Sequence, residues 1–356
     1  MDKSIVPANQ LSFRSSTCYE FSNPNGAVVV EIEDDPVEVV EKKLEDLKLN
    51  YQFNEKEVPQ IFQDLMKNKK NGLKVIGFSF FDQYGTLSLD EIVIKLENKG
   101  NDWLISYNKI KKSIKTVDPE KSIIDHLWFV LRNPDIKISS FRLQAFINPE
   151  FALFYQNQHV PNIDFEKLNT LLLSMLDSID HQFHIYSFDF EAFNINVFLS
   201  MLKHLKPGTL GEIDFGNVKN EEVNCQKMKE IIEMDQWKQA RKICSSQVIP
   251  SLKIEDLLHC EVSMFAFEKI TPEDVVRVRE LFINSTNSQS CTLFYKNEHF
   301  DFNAFRKVLL PNSLSEKNDD VLFLDCIVYT YKLPNSPNCF SVALDGYSIN
   351  FYKNIN

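Results

Sequence analysis

The chain has 356 residues, 44% of them hydrophobic and 25% charged, which is the balance of a folded globular protein rather than a disordered one. Acidic residues outnumber basic ones by 50 to 39 and give a formal net charge of -11, which disfavours nucleic-acid binding because phosphate backbones require dense positive charge. The 9 glycines form neither a G-x-x-x-x-G-K-[ST] nor a G-x-G-x-x-G spacing, so a nucleotide-driven enzyme is disfavoured as well.

Nothing in the sequence predicts insertion into a membrane or secretion. No run reaches the roughly 18 apolar residues of a membrane-spanning helix. Residues 1–25 are polar and lack the apolar segment of a signal peptide. The 7 cysteines form no C-x-x-C pair, and their odd number suits reduced, buried thiols. We therefore expect a soluble protein of the cytoplasm or nucleus that is not secreted and has no membrane partner.

The first 72 residues predict a flexible segment followed by helices. Residues 1–34 mix Ser, Asn and Pro and are expected to be flexible. Residues 35–72 are expected to be helical, since Asp35 suits an N-cap and Pro36 suits the first turn of an acidic helix. Apolar residues at helical spacing predict this helix and a second, shorter one: Val37, Val40, Leu44 and Leu47 in the first, and Val58, Ile61, Phe62, Leu65 and Met66 in the second.

Residues 73–137 predict an antiparallel β-meander followed by a helix. The period changes here to β-prone apolar runs that are separated by turn residues. The three predicted strands are Val75–Phe81, Leu89–Leu96 and Trp103–Tyr107. A helix is then predicted to begin at Asp118-Pro119-Glu120 and to end before Pro134, which cannot continue it.

Residues 138–310 predict an alternation of short strands and helices. The predicted strands are Phe141–Ile147, Phe183–Phe190, Leu210–Phe215, Glu261–Phe267 and Cys291–Tyr295. Apolar stripes predict helices around residues 168–179 and 197–205, a longer helix from about Val223 to Cys244, and a helix that begins at Thr271-Pro272. This βα alternation predicts a mainly parallel sheet with helices packed on it.

The predicted fold class is α/β. Because the strands recur at unequal intervals, the pattern favours an irregular leucine-rich-repeat-like βα solenoid over a doubly wound sheet, with the antiparallel meander at its N-terminal end. Residues 311–356 predict a β-rich C-terminal cap, with strands Phe323–Leu333, Cys339–Leu344 and Tyr347–Tyr352. A cap is expected because a terminal repeat would otherwise expose its core face.

Short motifs spread over residues 73–356 follow the order found in one known family. They are I-S-Y at 105–107, L-R-N-P at 131–134, S-F at 140–141, L-K-P-G-T-L-G-E-I at 205–213, E-M-D-Q-W-K-Q-A at 233–240 and K-L-P-N-S at 332–336. In combination they resemble the FTH region that lies downstream of the F-box in nematode F-box proteins of the F-box A type. The resemblance implies an FTH-like domain at 73–356 that recruits target proteins, as the recognition half of a ubiquitin-ligase adaptor.

The F-box itself is expected to be missing or degenerate. In the family it precedes the FTH region and binds a Skp1-like adaptor, which links the protein to a cullin ligase. Here Val58-Pro59 and the helix through Leu65-Met66 resemble only its first helix, and after Lys70 the chain turns into the strand predicted at Val75. The coupling to a Skp1-like adaptor is therefore in question.

Two groups of reactive side chains suggest an enzyme as an alternative. A metal site is suggested by Asp177, Asp180, His181, His184 and Asp189, which are residue types that bind zinc. A cysteine nucleophile is suggested by Cys260, with the distant histidines His126, His204 and His299 as candidate bases.

Both groups are expected to be structural. The first runs from a helix end into a strand, so its side chains need not converge, and the cysteines are expected to be packed thiols. No G-x-S-x-G or H-E-x-x-H motif is present. Trp128 and Trp237 lie on apolar helix stripes and are expected to pack in the core.

We therefore expect a non-enzymatic protein-interaction module without catalytic residues, cofactor or metal site and without a nucleic-acid partner. The target protein and the residues that bind it are not defined by the sequence. One alternative is an intact receptor of a cullin ligase with a divergent F-box. The alternative of another class is a cysteine- or metal-dependent hydrolase.

Overall fold

Strands and helices of ordinary length alternate along most of the described chain. The structure is a computed structural model, and it describes residues 53–354 without 54, 68, 70–71, 82–83, 100–101, 109–111, 147–162, 192, 217–224, 250–251, 258, 296–300, 312, 314, 322–323 and 334–337. The described residues lie within one unit of the chain, Leu47–Asn356. The segment predicted to be flexible and the helix predicted from Asp35 lie outside the described residues.

The described residues form fifteen strands and eight α-helices. The strands are β1 Leu73–Phe81, β2 Tyr84–Leu89, β3 Ile92–Lys99, β4 Asp102–Tyr107, β5 Lys112–Thr116, β6 Lys137–Phe146, β7 His184–Glu191, β8 Glu212–Gly216, β9 Lys242–Val248, β10 Val262–Phe267, β11 Ser290–Tyr295, β12 Ser315–Val321, β13 Leu324–Lys332, β14 Cys339–Leu344 and β15 Ser348–Asn354. The helices are α1 Gln60–Lys67, α2 Pro119–Leu131, α3 Phe165–Asp177, α4 Ile195–His204, α5 Cys225–Glu233, α6 Asp235–Lys238, α7 Pro272–Asn284 and α8 Phe302–Leu309. Short 3-10 turns occur at Glu55–Glu57 and Ile254–Asp256.

All fifteen strands join one mixed, mostly open sheet. Its central strands, β1 and β6 to β11, are parallel, and from β6 to β11 each strand lies beside the one before it in the chain. Antiparallel strands extend the sheet on both sides, β2 to β5 beyond β1, and β15, β14, β13 and β12 beyond β11. The predicted α/β class is confirmed.

One row of buried side chains crosses the sheet from β4 to β14. Register pairs connect, in order, Tyr107, Ile94, Leu87, Phe78, Leu143, Phe190, Phe215, Ser245, Phe265, Leu293, Ile349 and Leu344. All of them are buried. Because successive residues of a strand point to opposite sides, this row defines one face of the whole sheet, which we call the covered face.

Aromatic contacts place the helices on the covered face. Phe198 of α4 lies 5.0 Å from Phe190 and 5.2 Å from Phe215 between ring centroids, and Trp237 of α6 lies 5.9 Å from Phe215. Phe282 of α7 packs 6.0 Å from Phe351 of β15. Neighbouring helices also contact one another, from α2 through α6 and between α7 and α8. The described helices therefore form one layer on one side of the sheet.

Local sequence signals set most helix beginnings. The side chain of Asp118 accepts a hydrogen bond of 3.0 Å from the amide of Lys121 and caps α2, as predicted. At α7, Thr271 and Asp274 exchange bonds in a capping box. The helices predicted from the apolar stripes at 168–179 and 197–205 are observed as α3 and α4, so these predictions are confirmed.

The strand predicted at Leu89–Leu96 begins in the wrong place, because residues 92–96 belong to β3 but Leu89 belongs to β2. The chain reverses at Asp90, which has a φ of 54°, so Leu89 ends β2 and Ile92 begins β3. The carboxylate of Asp90 accepts hydrogen bonds of 2.8 and 2.9 Å from the amides of Lys74 and Val75, which stabilises this turn. An aspartate tolerates the left-handed conformation better than most residues, a turn signal that the apolar run concealed.

The long helix predicted from Val223 to Cys244 is also wrong. Met234 has an extended backbone, with φ -69° and ψ 144°, and separates α5 from α6. After α6 the amides of Arg241 and Lys242 both donate to the carbonyl of Gly211, and the chain continues as β9. Helical spacing of the buried residues Met228, Ile231 and Trp237 persists across the break, which is why the sequence pattern missed it.

Besides β2 and β9, three further elements were not predicted from the sequence. They are the edge strands β5 and β12 and the helix α8. The edge strands read K-S-I-K-T and S-E-K-N-D-D-V, and such polar segments lack the apolar alternation that marks a half-buried strand.

In the part of the chain that the structure describes, no helix is both long and apolar enough to cross a membrane.

Gly72, just before β1, should not accept a side chain. Its φ is +97°, and a Cβ there would lie 2.5 Å from the carbonyl oxygen of Lys137. We expect Gly72→Ala to lower the free energy of unfolding by about 1 to 3 kcal/mol, because both the backbone conformation and the contact become unfavourable. Urea unfolding of the full chain measures this change.

Gly77, within β1, is the matched control. A Cβ at this position would make an ordinary 3.6 Å contact with Ser88. We expect Gly77→Ala to leave the stability within about 0.5 kcal/mol of the parent protein or to raise it slightly. Equal losses for both variants would contradict the assignment of strain to Gly72.

Candidate functional site

The residues suggested as a metal site do not converge. His181 donates through Nε2 to the carbonyl of Leu131, 3.0 Å away, and Asp180 is fully exposed. Asp189 instead accepts a 2.7 Å bond from Nε of Arg142. Among the residues that the structure describes, no three His, Cys, Asp or Glu side chains are grouped so that they could hold a metal ion.

Cys260 lies in the turn before β10, with Sγ 3.3 Å from Nε2 of the adjacent His259. The same nitrogen is 2.9 Å from the carbonyl oxygen of Trp237, and a carbonyl can only accept, so Nε2 carries a proton. It therefore cannot take the proton of the thiol. Burial raises the pKa of Cys260 to about 12, and the neighbouring Cys291 and Cys244 act in the same direction. Cys260 is a packed thiol rather than an activated nucleophile.

The distant histidines have partners of their own. In His126, which is buried, Nδ1 donates to the carbonyl of Ser122 at 2.6 Å and Nε2 accepts a 2.8 Å bond from the hydroxyl of Tyr107. Nδ1 of His204 donates to the carbonyl of Ser200 at 2.9 Å. His299 lies outside the described residues.

The two tryptophans differ in their environments. Trp237 is completely buried, and its indole nitrogen donates to the carbonyl of Asp256 at 3.4 Å, which confirms the prediction of a core position. Trp128 is only half-buried. Its ring stacks 5.7 Å from Phe53, and the guanidinium of Arg132 lies 5.0 Å from its centroid. It belongs to the packing between α2 and the segment before α1.

The sheet face opposite the covered face is the candidate functional site. We call it the open face, because no helix in the described parts of the chain packs on it. Outward residues on β6, β7 and β8 lie side by side in register, namely Arg142, Asp189 and Asp214 in one row and Gln144, Glu191 and Gly216 in the next. Such neighbours stand about 4.8 Å apart across a sheet. The strands thus present charged and polar groups at close spacing.

Side-chain bonds run sideways across the open face. Nε of Arg142 and Nε2 of Gln144 lie 2.7 and 3.3 Å from the same carboxylate oxygen of Asp189. The hydroxyl of Ser187 donates to Glu212 at 3.4 Å. Farther along the sheet, Thr292 donates to Asn350 at 2.8 Å. These contacts satisfy polar groups while leaving the face accessible to solvent.

Four carboxylates are concentrated on two adjacent strands, Asp189 and Glu191 on β7 and Glu212 and Asp214 on β8. The nearby cations are Arg142 on β6, Lys242 on β9 and Arg241 just before β9, the last of which binds Glu261. Partial burial between the strands raises the pKa of Asp214, and the negative charges of Asp189 and Glu191 add to the effect. The repulsion among these carboxylates marks this part of the open face as a region of negative potential.

The N-terminal ends of β9, β10 and β11 share one pattern of backbone hydrogen bonds, in which one carbonyl accepts from two consecutive amides of the next strand. The carbonyl of Gly211 accepts from Arg241 and Lys242, that of Arg241 from Glu261 and Val262, and that of Glu261 from Gln289 and Ser290, each at 2.8 to 3.1 Å. In each of these three strands two consecutive residues therefore point outward, and the residues directly before and after them are buried. The guanidinium of Arg241 uses this position to bind both oxygens of Glu261 at 2.7 Å.

Tyr186 is the exposed aromatic residue of this part of the sheet. Its side chain is 48% exposed, and its ring lies over Gly211, where a Cβ would come within 2.5 Å of a ring carbon. The amide of Gly211 donates to the carbonyl of Tyr186 at 2.7 Å, which fixes the two backbones side by side. The motif glycine Gly208, with φ +77°, forms the preceding turn.

Sequence reasoning identified the strands of this surface but not the surface itself. Asp189 was noted only as a potential metal ligand, whereas Tyr186, Arg142 and Asp214 were not singled out. The signal was available in the alternation F-D-F-E at 188–191 and E-I-D-F at 212–215, in which charged residues occupy every second position. That pattern does not predict which side of the sheet the helices cover.

Residues 166–312 match the FTH domain family. The match runs from the first turn of α3 past the end of α8 and contains two of the resembling motifs, at 205–213 and 233–240. It supports the FTH family for this part of the chain and gives no information on an F-box or on the source organism. No curated protein and no solved structure matches the chain.

His126 should make the stability depend on pH. Burial lowers its pKa from 6.5 to about 4, so the unfolded chain binds a proton on His126 that the folded chain excludes between these values. The free energy of unfolding should therefore fall by about 3 kcal/mol as the pH falls from above 6.5 to 4. Urea unfolding at pH 7.5 and at pH 4.5 measures the change.

His126→Gln is the test variant for this effect. It removes the titrating group, so its stability should change less over the same pH range. His204→Gln is the matched control, since Nδ1 of His204 donates to the carbonyl of the residue four positions before it, as does that of His126. An unchanged pH dependence in the His126 variant would contradict the assignment.

The buried thiols should react slowly with a soluble thiol reagent. Burial raises the pKa of Cys291 to about 11 and that of Cys260 to about 12, so very little thiolate forms at pH 8. Cys326 and Cys339 are only half-buried and should be modified before Cys260 and Cys291. Mass spectrometry after timed alkylation gives each rate, and preferential labelling of Cys260 would instead indicate a reactive nucleophile.

Proposed function

We propose that the chain is a non-enzymatic protein-interaction module that holds its partner on the open face of the sheet. The observation that carries the proposal is the match of residues 166–312 to the FTH domain family, because that family is associated with F-box proteins that recruit targets. The open face supports it physically. Strands β6 to β8 expose charged groups that are bonded to each other, and the helices occupy the opposite side.

The solenoid interpretation belongs to this proposal. Strands β6 to β11 follow one another along the sheet in chain order and are all parallel, with their connecting helices on the covered face. We infer that these βα units act as irregular leucine-rich-repeat-like repeats. Repeats of this kind present an extended surface whose outward residues vary without loss of the core, which suits recognition of protein targets.

We further propose that α1 belongs to the recognition domain rather than to an adaptor-binding F-box. Phe62 of α1 is completely buried, and its ring lies 4.7 Å from His126 and 5.8 Å from Phe129 of α2. Arg132 at the end of α2 binds Glu55 at 2.9 Å. Only residues 68–72 separate α1 from β1, so no further F-box helix fits between them.

The absence of enzymatic activity is likewise a proposal. The proton on Nε2 of His259 and the raised pKa of Cys260 disfavour a cysteine hydrolase, and the separate partners of His181 and Asp189 disfavour a metal-dependent one. No geometry described above favours either reaction. Recruitment for ubiquitination by an intact ligase receptor would require adaptor-binding helices in addition to α1, and the described residues between 53 and 72 form no second α-helix.

The Phe62→Ala variant distinguishes a structural α1 from an adaptor-binding one. If α1 completes the recognition domain, the variant should lose about 3 to 5 kcal/mol of folding free energy, the usual effect of emptying a buried phenylalanine site. Asp64→Ala on the exposed side of α1 is the control and should change stability little. Chemical unfolding of the full-length variants gives both values.

Direct binding tests the ligase link. We expect purified full-length protein to bind a purified Skp1-like adaptor no better than it binds an unrelated acidic protein, as measured by isothermal titration calorimetry. Submicromolar binding of the adaptor that Phe62→Ala abolishes without unfolding the chain would identify a divergent F-box and contradict the proposal.

A further inference from the structure

We infer that the open face around Tyr186 binds an extended basic segment of a partner protein, with an arginine or lysine side chain over β7 and β8. This inference rests on the proposed protein-binding function and specifies its location and chemistry. It rests on the exposed aromatic ring of Tyr186, the excess of carboxylates near it, and the sheet face on which both lie.

Tyr186 has the properties of an interface anchor. Nearly half of its side chain is exposed, yet its backbone is held within the sheet by the bond from the amide of Gly211. Because Gly211 lacks a Cβ, the ring can lie close against the neighbouring strand. Tyrosine is enriched at binding hot spots because it contributes a large contact area and loses little conformational entropy.

The carboxylates near the ring specify the sign of the charge that a partner must carry. Asp189, Glu191, Glu212 and Asp214 face the same side of β7 and β8, whereas the cations that lie in register with them on the adjacent strands are Arg142 and Lys242, and the nearby Arg241 is bound to Glu261. Arg142 already binds Asp189. Partial burial and the negative charge of Asp189 both disfavour the ionised form of Asp214. A cationic side chain placed between the strands would offset both effects. Charge complementarity therefore selects a basic ligand.

A protein segment fits these observations better than other cations or polyanions. Among the described residues no group of three potential ligands is placed to hold a metal ion, and the negative potential repels nucleic acid. An arginine side chain can use its planar guanidinium for two carboxylates at once, while its aliphatic stem packs on an aromatic ring. Tyr186 lies at the N-terminal ends of β7 and β8, and Asp189 and Asp214 lie farther along them, so one extended segment reaches both.

The test selects peptides from a random dodecapeptide display library on the immobilised full-length protein. We expect the selected sequences to be enriched in arginine and lysine. A fluorescently labelled copy of the most frequent peptide should then bind the parent protein at least ten-fold more tightly than it binds Tyr186→Ala. It should show a similar loss with the Asp189→Asn, Asp214→Asn double variant. Binding should also weaken as the salt concentration rises.

Matched controls separate the site from general charge and folding effects. Tyr347→Ala removes another exposed tyrosine, and the Asp64→Asn, Asp180→Asn double variant removes the same number of exposed carboxylates elsewhere. Both should bind like the parent protein. Gly211→Ala should displace the ring of Tyr186 without removing it and should weaken binding while leaving the unfolding midpoint nearly unchanged.

Three outcomes would overturn the inference. One is selection of peptides that lack basic residues, and another is failure to select any peptide. The third is peptide binding that the open-face variants leave intact, which would keep the proposed interaction function but move its site elsewhere. Binding of the Skp1-like adaptor, measured separately above, reports on the function itself and is independent of these variants.

Discussion

The two-residue repeat of the β-strand is the constraint on which the rest of this protein depends. In each parallel strand one set of side chains must be buried under helices, because consecutive parallel strands require connections that return over the sheet. The row from Tyr107 to Leu344 shows the result, an unbroken line of buried residues beneath the helical layer. The intervening residues necessarily point to the opposite side, where the described helices provide no cover.

That asymmetry explains the chemistry of the open face. Apolar side chains there would leave an exposed hydrophobic sheet, whereas charged ones remain solvated and can bind laterally to their neighbours. Arg142 with Asp189 and Arg241 with Glu261 are such lateral pairs. Exposed pairs contribute little to stability, so these residues are available for recognition at little cost to the fold. The edge strands follow the same logic, since charged segments such as that of β12 discourage pairing with another chain.

The N-terminal helix illustrates how packing changes the meaning of a motif. Val58-Pro59 and the following helix resemble the beginning of an F-box, but Phe62 is buried against His126 and Phe129. Under the proposed assignment of α1 to the recognition domain, this side chain would not be available to an adaptor. The buried bond between Tyr107 and His126 beneath it further ties α1 and α2 to the first part of the sheet.

Sequence periodicity by itself determined the α/β class, the strands with alternating apolar residues and the helices with clear capping signals at Asp118 and Thr271. These features are local, because a strand or a cap depends on residues a few positions apart. The reversal at Asp90 and the break at Met234 escaped prediction, since each is stabilised by the pairing of distant segments, as in the bonds of Arg241 and Lys242 to Gly211. Only the tertiary structure decided which side of the sheet the helices cover, and with it that Tyr186, Asp189 and Asp214 share an accessible surface. Strand alternation specifies that two faces differ but contains no information on which strands become neighbours, and neighbours across the sheet are what bring these side chains together.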